Sequence, residues 1–135
     1  MTLSWLALMP ALALAAGPPG GFRALGPDRF TVPPADGLIA HIDGQGIRLS
    51  RDGEARWSQE ILIEGYARGT ALTPWHPDVA QVIGSDVAFP GAGMMAYYTS
   101  APQGVRQNFI LHERPQGPGE LAIRLRLKGD LRPEL

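Results

Sequence analysis

The sequence predicts an all-β fold, an antiparallel β-sandwich of about seven to ten short strands, with an open barrel as the alternative. Three observations point there. Apolar and polar residues alternate with a period of two in several separate runs, as half-buried strands require. Glycine and proline are abundant, 17 and 13 of 135 residues, and they punctuate those runs at short intervals. After residue 17 no segment sustains a helical period.

The chain opens differently. Met1 to Gly17 carries no charged side chain and closes on small residues. Such a run resembles the core and cleavage region of a secretory signal, and Ala13-Leu14-Ala15 satisfies the small-x-small rule for cleavage after Ala15. Residues 1–15 are therefore read as a signal peptide. No Lys or Arg precedes the apolar run, so the α-amino group alone supplies its positive charge. The run is too short to span a bilayer, and no transmembrane span is expected after its removal.

Residues 16–35 read as a Pro/Gly-rich linker or edge segment, in which Phe30-Thr31-Val32 is a short strand before Pro33-Pro34. Residues 36–135 read as a single β-sandwich domain, long enough to bury a core without metals or disulfides. Leu38, Ala40 and Ile42 share one strand face. Asp43-Gly44 then signals a hairpin, because glycine accepts positive φ at little cost. Ile47 and Leu49 point inward on the return strand. After Arg51-Asp52-Gly53 a third strand follows, with Trp57, Ile61 and Ile63 on one face and Ser58, Glu60 and Glu64 on the other. Thr70 to Asp78 is an irregular crossing around Thr73-Pro74-Trp75-His76-Pro77-Asp78. Val79–Ile83 and Asp86–Phe89 are short strands about Gly84-Ser85. Pro90-Gly91-Ala92-Gly93 turns into a strand through Tyr97-Tyr98. Val105, Phe109 and Leu111 are expected inward on the next strand. Leu121, Ile123, Leu125 and Leu127 are expected inward on the last, with Arg124, Arg126 and Lys128 outward.

Composition removes several function classes. A formal charge of −1 gives no electrostatic case for nucleic acid. With no cysteine there is no disulfide framework, thiolate zinc site or cysteine nucleophile. His41, His76 and His112 lack the spacing of a metal-binding motif. His41 and Asp43 share a strand face, the one opposite Leu38, Ala40 and Ile42, and period-two alternation already accounts for them. No serine lies in a Gly-x-Ser-x-Gly elbow, and neither an EF-hand loop nor a phosphate cradle is recognisable. No catalytic residue, metal or cofactor is expected.

The Trp75-His76-Pro77-Asp78 knot is the best place for a site; the plainer reading is a corner that Trp75 plugs. Tyr97 and Tyr98 straddle two strand faces, so one belongs in the core and the other is available as a contact residue. Trp75, His76, Tyr97 and Tyr98 are thus the residues of a contact surface.

The run Met94 to Leu131 resembles the N-terminal β-sandwich module of large secreted bacterial surface and repeat proteins of the Bacteroidota type. The likeness lies in the Tyr97-Tyr98 strand, the turn closing on Gly104, the strand Val105 to Ile110, and the phrase Glu113-Arg114-Pro115-Gln116-Gly117. It continues through the alternating strand Leu121 to Lys128 and its Gly-Asp-Leu ending. The resemblance covers about the last forty residues well and the meander from Leu38 to Tyr66 more loosely. It implies a non-catalytic module that spaces or docks the parts of a surface protein, and it carries over no catalytic residue.

The expectation is a non-enzymatic exported structural or interaction module, the N-terminal part of a cell-surface or secreted protein, whose partners would be other domains of that longer protein or an envelope partner. A carbohydrate-binding module stacking Trp75 and Tyr97 on a glycan is the alternative, and a small hydrolase using His76 and Asp78 is a third reading.

Overall fold

The computed structural model describes residues 21–35, 37–51, 53, 56–102 and 104–134. The expected signal segment lies outside them. Among the described residues there are eleven strands and no helix, arranged as two antiparallel sheets without barrel closure.

The larger sheet holds β1 (Arg23–Gly26), β2 (Arg29–Ala35), β3 (Leu38–Asp43), β4 (Gly46–Arg51), β5 (Trp57–Arg68) and β11 (Leu121–Gly129), neighbours in that order. A short strand β6 (Ala71–Pro74) continues the line of β4 along the far half of β5. The smaller sheet runs β10 (Gly104–Leu111), β9 (Met94–Ala101), β8 (Asp86–Phe89), β7 (Gln81–Ile83).

The expected meander is β3–β4–β5. Its first hairpin closes on Gly44-Gln45, with Asp43 opposite Gly46 and the Gln45 amide donating to Asp43 Oδ1 at 2.8 Å. From Arg23 onward the segment expected as linker or edge lies at the edge of the larger sheet, where it forms β1 and β2. An edge tolerates proline because an edge strand need not donate on both sides, and the β2–β3 register is irregular across Pro33-Pro34. The crossing from Thr70 to Asp78 also contains a strand, β6, too short for its alternation to register.

The core is built mainly by alternate residues of the central strands of the two sheets. Phe30 and Val32 on β2, Ala40 and Ile42 on β3, and Ile47 on β4 meet Val87 and Phe89 on β8 and Met94, Ala96 and Tyr98 on β9. The centre is aromatic: Phe89 sits edge-on to Phe30 at 6.2 Å and to Tyr98 at 5.9 Å between ring centroids, the geometry that the ring quadrupoles favour. The β9–β10 hairpin is regular, but β11 leaves it and crosses to the larger sheet, where it pairs with β5.

Because the smaller sheet has four strands and the larger seven, the larger one overhangs. Ile123 still packs on the core. Leu125 and Leu127, expected inward, do lie on the core-facing side of β11 but remain 38% and 47% exposed. Alternation assigns a side chain to a face; it does not say whether anything covers that part of the face.

Candidate functional site

The Trp75 corner is built by hydrogen bonds from three directions. The Trp75 amide donates to Glu64 O at 3.1 Å, the Asp78 amide donates to Pro90 O at 2.7 Å, and Pro77 bridges Gly91. The indole is buried in the core, and its Nε1–H donates to Met94 O at 2.7 Å. Gly91 is a packing requirement of this arrangement, since a Cβ there would stand 2.4 Å from Trp75 Nε1. Of the knot, only the flanking side chains stay at the surface: His76, Pro77 and Asp78 are exposed. His76 and Asp78 share no hydrogen bond or ion pair, which leaves the two without the mutual geometry of an acid–base pair.

Tyr98 is fully buried, on the core side of β9, where its Oη accepts from Gln107 Nε2 at 2.8 Å. Tyr97 points the opposite way, together with Asp86, Ala88 and Thr99, and all four are nonetheless buried. Its Oη donates to Asp86 Oδ2 at 2.6 Å. Asp86 Oδ1 on β8 and Thr99 Oγ1 on β9 have no hydrogen-bond partner among the described residues. Burial is the largest influence on both phenols and raises their pKa values; the Asp86 carboxylate adds to the effect at Tyr97.

The contact surface expected from Trp75, His76, Tyr97 and Tyr98 is therefore corrected. Three of its four members are buried, and only His76 is exposed. The alternation of Tyr97 and Tyr98 separates two faces, as expected, but both faces of β9 are covered. Trp75 takes the plainer of its two readings and plugs the corner.

Polar groups elsewhere settle into pairs. Arg48 on β4 reaches Asp43 on β3 and, through Nε at 2.9 Å, Glu60 on β5. Desolvation works against its charge, but the two carboxylates prevail and raise its pKa. His41 lies directly opposite Arg48 on this outward face. Arg126 donates to Glu64 through Nη2 at 2.6 Å and Nε at 2.8 Å.

Two surface features lie apart from the expected contact surface. The first is an open groove of about 420 Å³ where β10 ends, lined by Tyr66, Gly93 and the run His112 to Gln116. Its floor depends on Gly93, which has φ of 76°, and whose Cβ would come within 2.4 Å of Tyr66 Oη. Consecutive His112-Glu113-Arg114 beside a proline was the available signal. No hydrogen bond or ion pair joins these three side chains among the described residues, so the groove presents separate charges rather than an assembled catalytic set. The second is the overhanging edge at β11. Among the described residues no group of three His, Asp or Glu side chains has metal-holding geometry.

Neither protein-family models, nor curated proteins, nor solved structures yield a match to this chain.

Proposed function

We propose that this chain is a non-enzymatic, exported structural and interaction module, the N-terminal part of a cell-surface or secreted protein of the kind its last forty residues resemble. The observation that carries the reading is the use of its chemistry-bearing residues. Trp75, Tyr97 and Tyr98 serve packing, and Arg48 and Arg126 tie strands together. His41, His76 and His112 lie on three different elements or connections. What the surface offers instead is a sheet edge with apolar side chains, the sort of feature used in docking. The glycan reading loses its support, because it needs an aromatic face open to a sugar ring and both Trp75 and Tyr97 are buried.

Export rests on the uncharged run from Met1 to Gly17. Intact-mass analysis of the native product from the medium and the cell envelope tests the reading. A product beginning at Ala16 in either fraction is expected. A product that retains Met1 and stays in the cytoplasm would overturn it.

A further inference from the structure

The free edge of β11 brings together three observations. The strand is nine residues long and is the last of its sheet, so one row of backbone donors and acceptors has no strand beside it among the described residues. On its core-facing side Leu125 and Leu127 are about half exposed beyond the cover of the smaller sheet, and Leu131 just past the strand is equally open. On its outer side Arg124, Arg126 and Lys128 alternate with them, and β5 answers these cations unevenly. Arg126 has Glu64. Lys128 stands 3.9 Å from Glu60, a carboxylate already held by Arg48. Arg124 lies opposite Gly65, which has no side chain to offer, and it makes no ion pair among the described residues.

We infer that β11 is a strand-addition site whose occupant is an extended partner segment with apolar residues at alternate positions and carboxylates between them. Backbone pairing would supply the affinity, and the two side-chain rows the selectivity. The apolar row would cover Leu125 and Leu127, and the carboxylates would meet Arg124 and Lys128 from the side that β5 leaves open. Charge argues against a second copy of this chain. Any antiparallel pairing that sets Leu125 or Leu127 against its own counterpart also sets an arginine against another arginine or a lysine, and like charges directly opposite are destabilising.

This inference rests on the interaction-module reading, and the two can fail separately: an envelope product beginning at Ala16 whose β11 binds no strand overturns the edge alone. The test is amide hydrogen exchange of the full chain with a capped nonapeptide of alternating valine and glutamate, against the same peptide with lysine for glutamate. The glutamate peptide is expected to slow exchange at the β11 amides by about tenfold or more, without effect on β1 or β7. The lysine peptide is expected to leave exchange unchanged. Leu127→Lys, at a half-exposed position that the fold does not depend on, should weaken binding roughly tenfold, as loss of part of a leucine's burial implies. Equal protection by both peptides, protection by neither, or a dimer of the chain paired through β11 would each overturn the proposal.

Discussion

Strands β9 and β11 make an instructive pair. By sequence β11 is the cleaner amphipathic strand, with Leu121, Ile123, Leu125 and Leu127 strictly alternating with polar or small residues, whereas β9 runs Met94-Met95-Ala96-Tyr97-Tyr98 with hardly any alternation. Yet Met94, Ala96, Tyr97 and Tyr98 are all buried, and most of β11 is exposed. The difference is position. β9 sits between β8 and β10, and β11 ends a sheet that extends past its cover. A continuous apolar run marks a strand buried on both faces, while clean alternation marks one solvated face; neither pattern identifies an edge.

The sharpest way to break this comparison is to delete one side chain from each strand. Tyr98→Ala removes the ring that packs on Phe89 and the acceptor of the Gln107 amide, so a loss of about 3–5 kcal/mol is expected from denaturant unfolding. Leu127→Ala should cost less than about 1 kcal/mol, because much of that side chain is already in water. Equal losses would mean that β11 is covered in solution.

A smaller effect is expected at the corner. Trp75→Phe keeps an aromatic plug but leaves Met94 O without its indole donor, which should cost about 1–3 kcal/mol in the same unfolding measurement. The complementary change, Gly91→Ala, forces a methyl against Trp75 Nε1 and should be of similar size by overpacking, about 1–3 kcal/mol. A neutral Gly91→Ala would show that the indole is not held as tightly as its hydrogen bond implies.

The phenols give the comparison a pH dependence. Burial raises the pKa values of Tyr97 and Tyr98 above their ordinary 10.0. The folded state keeps these protons where the unfolded chain releases them. Their contribution is therefore complete below pH 10 and is lost progressively as pH rises above it. Denaturation midpoints measured on either side of that value should fall on the alkaline side. Tyr98→Phe should flatten the decline, and Leu127→Ala should not alter it.

The sheets were legible in the sequence where turn chemistry was strong. Asp43-Gly44, Gly84-Ser85 and Pro90 to Gly93 each mark a connection, and the runs between them are strands. β6 is not legible in the sequence, because four residues ending in proline carry too little pattern. The site was less legible. Trp75, Tyr97 and Tyr98 are conspicuous aromatics in the sequence, but whether an aromatic plugs a corner or faces a ligand depends on long-range packing, here on Gly91 and Met94 for Trp75 and on Asp86 for Tyr97. The exposure of Leu125 and Leu127 was hidden for the same reason: it follows from the unequal widths of two sheets, which no local window records.

The smallest expected effect concerns the cations that flank those leucines. Arg126 donates twice to Glu64, but its side chain is 66% exposed, so solvent screens the pair. A double-mutant cycle of Arg126→Ala with Glu64→Ala should give a coupling of about 0.2–1 kcal/mol that fades at high salt. Arg48 is the contrast on the same outer face. It is about half as exposed and is shared between Asp43 and Glu60, so its coupling to Glu60 should exceed that of Arg126 to Glu64 and survive salt better. If the two couplings prove equal and equally salt-sensitive, Arg126 is held as firmly as Arg48. The charge selectivity of this edge would then rest on Arg124 and Lys128, with no share from Arg126.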